Sequence, residues 1–231
     1  MSIYFFKKKN ISSLKKEQFI NLMEWANKIV NQNSCFFSKN EALYDLIKIV
    51  MKPIQAEHIR NAYLTHEHHA IKEIDLYQDF LCSHSIVCEI LANSTQHSNS
   101  ASHHSLKLAS DIILPTGWHP TSLVCNLGSI GKENRKCGKF KQDINHDVTL
   151  VLPMRIGFVK GGNHSIIQGV LSGNGEISPK TVVDLSNKLN EVYFNGTHWI
   201  DTTSEQVIGE PRYPEFGWVW EISKLLTNNI E

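Results

Sequence analysis

The chain has 231 residues, 41% of them hydrophobic and 20% charged, with 23 Lys plus Arg balanced by 23 Asp plus Glu. This length supports a full core in one large domain or two smaller ones. The zero balance removes any global-charge argument for nucleic acid and leaves only local basic patches. The 12 histidines make surface charge sensitive to pH below neutrality.

Cys35, Cys82, Cys88, Cys125 and Cys137 form no CxxC pair, which favours reduced thiols. The start, Met1 to Asn10, places Lys7, Lys8 and Lys9 after a very short apolar patch. This is not the order of a secretory signal, and no apolar run approaches the roughly 20 residues that span a bilayer. The expectation is a cytoplasmic protein with no membrane partner.

The N-terminal part, 1–92, reads as helical. Phe19, Leu22, Met23, Ala26, Ile29 and Val30 recur at three and four and form one apolar stripe. A second helix is predicted over Ser38 to Met51, stopped before Pro53, and a third over Gln55 to His69. Ile74, Tyr77, Phe80, Leu81, His84, Val87, Cys88 and Leu91 mark a fourth. Residues 93–105 are rich in Ser, Asn and His and read as a linker or an ordered loop.

Residues 106–231 mix strands and turns. Asp111 to Pro115 and Val148 to Pro153 are short apolar runs that end in proline, and Ile177 to Leu185 suits a strand. Val192 to Phe194 and His198 to Ile200 flank Asn195-Gly196, the signature of a β-hairpin. Phe216 to Leu226 closes the chain as a helix. The fold class is therefore α+β: a helical N-terminal part followed by a small mixed sheet.

The segment with most chemical content follows the strand Arg155 to Lys160. It runs Gly161-Gly162-Asn163-His164-Ser165 and leads into the apolar helix Ile166 to Leu171. Glycines allow close backbone approach, and a helix start offers unpaired N–H groups with partial positive charge. The pattern predicts an anion pocket with Asn163 and His164 at its mouth. The structural alternative is a tight turn in which Asn163 caps the helix and His164 bonds a neighbouring loop.

Asn145-His146-Asp147 precedes the strand from Val148. If that strand neighbours the one ending at Lys160, His146 approaches His164. One of them then serves as general acid or base, or both bind a metal, with Asp143 or Asp147 orienting. Arg155 and Lys160 flank the central strand as candidate phosphate contacts. Lys132, Arg135, Lys136, Lys139 and Lys141 crowd a loop that either folds over phosphates or is simply solvated. Trp118-His119-Pro120 offers a ring for stacking on a base. His66-Glu67-His68-His69 lacks the HExxH spacing of a zinc helix. No P-loop, GxSxG elbow or post-strand GxGxxG is present.

The run Phe158-Val-Lys-Gly-Gly-Asn-His-Ser-Ile-Ile-Gln-Gly169 resembles the glycine turn of ParB-type and sulfiredoxin-type domains, and its continuation to Val183 resembles their closing turn and strand. The resemblance implies a ParB/sulfiredoxin-like core in which Gly161, Gly162, Asn163 and His164 line a phosphate pocket; Ser165, Arg155 and Lys160 complete the candidate phosphate contacts. His164, His146 and Asn163 then carry any catalysis. Ser165 stands where those domains carry an arginine clamp, and Asn163 where sulfiredoxins carry a nucleophilic cysteine, which removes peroxiredoxin repair. The chain is also similar to a bacterial family of unassigned function whose hallmark is Gly162-Asn163-His164-Ser165-Ile166.

Three function classes follow. The first is nucleotide or nucleic-acid phosphate binding, with phosphotransfer or nuclease chemistry, a nucleoside triphosphate with Mg²⁺ as the implied cofactor, and a phage-defence or mobile-element setting implied by the resemblance. The second is a non-enzymatic module that binds a protein partner through its helical N-terminal region. The third is a metal hydrolase using His146, His164 and a histidine from the first half of the chain, with the metal ligands otherwise unknown.

Overall fold

The computed structural model describes residues 11–32, 36–81, 95–97 and 104–227. Two long helices come first, α1 (Ile11–Gln32) and α2 (Phe36–Ala62). The apolar stripe of α1 packs inward as its spacing requires: Ala26 is fully buried, with Phe19, Leu22, Met23, Ile29 and Val30 against the same core.

The expected stop before Pro53 does not occur, because α2 runs through it and absorbs the predicted second helix and the start of the third. Proline removes one helical hydrogen bond and leaves the carbonyl of Ile49 unpaired within the helix. Pro53 and Ile49 are both exposed on α2. Ile47, Val50, Met51 and Ile54 are buried on either side of Pro53. Burying such a side chain contributes about 1.5–3 kcal/mol, and four of them outweigh the roughly 3 kcal/mol that an interior proline costs. Beyond Ala62 the chain turns, and His69 takes a positive φ of 55°, so no helix reaches it. Of the predicted fourth helix, the described part is a single π-helical turn, Leu76–Phe80, capped by Asp75. Residues 82–91 lie outside the described residues, as does most of the 93–105 stretch.

A five-stranded sheet forms the centre, with strand order β1 (Thr95–His97), β7 (Thr181–Asp184), β4 (Asp147–Leu152), β5 (Ile156–Gly161), β3 (Ile112–Leu114). It is mixed. β5 runs antiparallel to β4 and parallel to β3, while β4 runs parallel to β7. The strand expected over Ile177 to Leu185 is broken at Pro179 into β6 (Glu176–Ile177), which pairs with β2 (Leu106–Lys107), and β7. The Asn195-Gly196 hairpin forms as β8 (Val192–Phe194) and β9 (Trp199–Asp201), joined by β10 (Val207–Gly209). Helices α3 (Pro120–Asn126), α4 (Asn163–Ser172) and α5 (Pro214–Thr227) complete the described elements.

One core lies between a face of the sheet and α1, α2 and α5, around Phe80, Phe158, Phe216 and Trp220. Leu106, Leu108, Val148, Val159 and Ile166 form a second on the opposite face, under α4. A smaller cluster, Ile59, Ala62, Leu123 and Ile167, joins α2, α3 and α4. These contacts fix α4 at the edge where β3 and β5 both end. Because those strands are parallel neighbours, the loops after them emerge side by side, and the antiparallel β4 begins at the same edge. Loops leaving the carboxyl ends of parallel strands are where α/β sheets commonly bind ligands.

Candidate functional site

The site forms where three segments meet: 115–119 after β3, 143–147 before β4, and 161–165 between β5 and α4. Gly162, not Asn163, is the N-cap of α4, with φ 75° and ψ 18°. A left-handed residue here favours glycine. The Cβ that Gly162 lacks would stand 2.5 Å from His146 Cδ2, and that of Gly161 would stand 2.5 Å from the Asn145 carbonyl oxygen. The double glycine therefore admits the Asn145-His146 segment of the protein itself.

Asn163 is buried at the first helical position, and its Oδ1 accepts the Thr116 N–H at 2.7 Å. Thr116 is held in turn from α2, where His58 Nε2 lies 2.9 Å from Thr116 Oγ1. Burial first, and the Arg212 charge second, push the His58 pKa down to about 4, so its ring is neutral at pH 7. No sequence signal tied Thr116 or His58 to the site, since they lie 47 and 105 residues from Asn163.

His164 Nε2 accepts the His119 N–H at 3.1 Å. His119 is the N-cap of α3, its Nδ1 accepting from Ser122 N–H at 3.2 Å. A polar residue directly before Pro-Thr-Ser is a local cue for such a cap, with proline favoured just inside a helix. Burial, then the neighbouring His119, lower the pKa of His164. A neutral imidazole whose Nε2 accepts carries its proton on Nδ1. That Nδ1–H has no partner among the described residues, so His164 presents a hydrogen-bond donor rather than a free base.

The pairing of β4 with β5 sets Asp147 opposite Gly161 and carries His146 to the turn. There His146 Nε2 meets Ser165 Oγ at 2.7 Å. Its Nδ1 lies 2.8 Å from the Asp143 N–H and 2.9 Å from Asp143 Oδ1. The Asp143 N–H is aimed at Nδ1, so Nδ1 presents its lone pair and a neutral ring carries its proton on Nε2. The ring then donates to Ser165 Oγ, which in turn donates to the Gly162 carbonyl at 3.0 Å.

Two openings flank the start of α4. One, of about 310 Å³, is lined by His69, Ile71, Lys72, Glu73, Thr116, Trp118, Lys160 and Asn163. Trp118 is 38% exposed and stacks on His69 at 4.6 Å with 14° between the planes. Lys160 Nζ lies 5.6 Å above the Tyr77 ring. Lys72 is paired with the buried Asp79 at 2.9 Å. The other opening, of about 270 Å³, holds Ser122, Asn126, Asp143, Asn145, His146, Gly162, His164 and Ser165.

The structure thus gathers Lys160, Gly161, Gly162, Asn163, His164, Ser165 and His146, and leaves Arg155 apart. Arg155 precedes β5 at its far end, and a strand of this length spans roughly 16–20 Å. Its guanidinium lies 5.5 Å from the Tyr44 ring and lines a separate cavity with Lys107 and Asp111. The basic loop also sits elsewhere. Arg135 donates to the Ile130 carbonyl at 2.7 Å, and that carbonyl also accepts from Gln168 on the second half of α4. Lys139 pairs with Glu133. Among the described residues, no group of three or more His, Cys, Asp or Glu side chains is placed to hold a metal ion, and no helix is long and apolar enough to cross a membrane.

Sequence comparison places the chain in a family. It belongs to a family of unknown function (DUF6710), whose model matches residues 5–231. No curated protein and no solved structure matches the chain.

Proposed function

We propose that this member of a family of unknown function binds a nucleotide, or the phosphate of a nucleic acid, at the start of α4. The observation that carries the reading is the opening that combines the exposed Trp118, stacked on His69, with Lys160 at the end of β5 beside α4. An aromatic plate offers a stacking surface for a base. The Lys160 ammonium and the first N–H groups of α4 favour an anion. The Nδ1–H of His164 is a further donor on the other side of the same turn.

The ParB/sulfiredoxin-like core is part of this proposal. Its support is the order of β5, glycine turn and α4, continuing through Gly173 and Gly175 into β6 and β7. Phosphotransfer or nuclease chemistry would need a base, and His164 Nε2 is engaged by His119, so binding is the better-supported half of the reading. Titration with ATP, CTP, GTP and ADP, with and without Mg²⁺, followed by tryptophan fluorescence and thermal shift, tests it. Saturable stabilisation that is lost in Trp118→Ala and Lys160→Ala supports it. No response to any nucleotide defeats it.

A second reading is favoured by a specific surface. Ile59, Tyr63, Leu64, Val170 and Leu171 line an apolar groove of about 470 Å³ between α2 and α4. Leu64 is 70% and Leu171 53% exposed. Contiguous exposed apolar side chains commonly mark interaction sites, which suits a module that binds a protein partner through its helical part. Substituting Leu64 and Leu171 together with glutamate and measuring partner capture tests that reading.

A further inference from the structure

The opening that holds Trp118 and Lys160 also contains a carboxylate that phosphate binding does not use. Glu73 lines it, on the segment that follows His69. The His69 N–H donates to the Trp118 carbonyl at 2.9 Å, which ties this segment to the loop carrying the aromatic plate. Arg212 fixes the Glu73 backbone from outside the opening. Its Nη1 donates to the Glu73 carbonyl at 3.0 Å and to the Lys72 carbonyl at 3.2 Å, and lies 3.3 Å from Oδ2 of the buried Asp79. Lys72 Nζ donates to Asp79 Oδ1 at 2.9 Å and is committed there. Among the described residues the Glu73 carboxylate has no hydrogen bond or ion pair. Burial, then the nearby Asp75, raise its pKa, and Lys160 lowers it. One opening thus carries an aromatic plate, an ammonium and an unpaired carboxylate.

We propose that Glu73 reads the base of the bound nucleotide and selects guanine. The inference rests on the nucleotide reading above and adds the identity of the base to it. An ionised carboxylate is an acceptor only. Guanine carries two donors side by side on its pairing edge, N1–H and one N–H of its 2-amino group, and these match the two carboxylate oxygens. Adenine presents the N1 lone pair beside its amino group, and cytosine presents the N3 lone pair. Uracil offers a single N–H between two carbonyl oxygens. Each of these edges sets at least one lone pair against the carboxylate. A site that offers only acceptors discriminates against them, because a polar atom is left without a partner. Hydrogen bonds to an ionised carboxylate are also stronger than neutral ones.

The opposite charges of Glu73 and Lys160 orient the ligand. The base stacks at Trp118 with its edge turned to Glu73, and the phosphate lies toward Lys160 and the first N–H groups of α4. The reverse placement sets a phosphate against the carboxylate. At about 310 Å³ the opening is at the small end of ligand pockets, which suits a single mononucleotide. Glu73 is exposed, so water competes for its oxygens. The selectivity is therefore about tenfold, well short of what a closed pocket reaches.

Isothermal titration of the full chain with GDP, IDP and ADP at pH 8 tests the assignment. GDP is expected to bind about tenfold more tightly than ADP. IDP, which keeps N1–H and lacks the 2-amino group, is expected to fall between them. In Glu73→Gln the side chain offers a donor as well as an acceptor, and the GDP and ADP affinities are expected to converge. Circular dichroism checks the fold of the variant, and the comparison of GDP with ADP on the wild-type chain stands without it. ADP bound as tightly as GDP by wild type, or an unchanged ratio in the folded variant, would overturn the choice of guanine and leave nucleotide binding standing. No binding of any of the three would overturn both.

Discussion

Asn163 Oδ1 accepts the backbone N–H of Thr116 at 2.7 Å, with both residues buried. The bond ties the turn after β5 to the loop after β3, and so holds Trp118 and His119 against α4. Asn163→Ala leaves the Thr116 N–H without an acceptor in the interior. An unsatisfied buried donor costs about 1–3 kcal/mol. The urea midpoint of unfolding is expected to fall accordingly, with an unchanged slope. A variant as stable as wild type would show that this bond contributes nothing to the fold.

Gly162 and His146 provide a second check. Alanine at 162 needs a positive φ and brings its Cβ to 2.5 Å from His146 Cδ2. Strain of this kind costs roughly 1–3 kcal/mol. The contact half of that cost requires the imidazole. In a double-mutant cycle, Gly162→Ala is therefore expected to cost less in a His146→Ala background than in wild type. Strict additivity would place the whole cost in the backbone and none in the contact.

The local features of this site were legible in the sequence because they rest on neighbouring residues. The strand into Gly161, the glycine turn and the helix from Asn163 follow from apolar runs and turn chemistry within a few positions. The Asn195-Gly196 hairpin and the closing helix are legible for the same reason. Pro53 misled because its penalty is local, whereas the burial of Ile47, Met51 and Ile54 that offsets it is tertiary. Arg155 misled because flanking a strand in sequence means standing at opposite ends of it in space. Position alone placed His146 near the turn, through the pairing of β4 with β5, and both His146 and His164 line one opening. The His146 ring nevertheless bonds Ser165 Oγ and the Asp143 N–H, not His164. His58 and Thr116 carried no cue, because only the docking of α2 on the end of β3 brings them to Asn163.

His58 sets a pH dependence of stability. Its folded pKa is about 4, below the usual 6.5. Above pH 6.5 neither folded nor unfolded chain carries this proton. As pH falls from 6.5 to 4, the unfolded chain gains it and the folded chain does not, so stability declines. Below 4 both carry it and the decline ends. Each pH unit between the two titrations corresponds to about 1.4 kcal/mol, so the loss attributable to His58 is about 3 kcal/mol. His164, also lowered by burial and by His119, acts in the same direction. Urea melts of wild type and His58→Gln across pH 4 to 7 measure the effect, and the variant should show the shallower decline. Parallel curves would show that His58 does not titrate on unfolding.

Lys160 and Arg155 separate an anion site at the start of α4 from general electrostatic attraction. Both are exposed cations on one strand and its preceding turn, so removing either changes the net charge equally. Only Lys160 lines the opening that contains Trp118 and Asn163. Arg155 lines the cavity near Tyr44, Lys107 and Asp111 instead. An exposed lysine contact to phosphate contributes on the order of 1 kcal/mol, or several-fold in affinity, and is weakened by salt. Lys160→Ala is therefore expected to weaken nucleotide binding several-fold and to flatten its salt dependence, while Arg155→Ala leaves both near wild type. Equal losses in the two variants would point to a diffuse field, and a loss confined to Arg155→Ala would move the anion to the other end of β5.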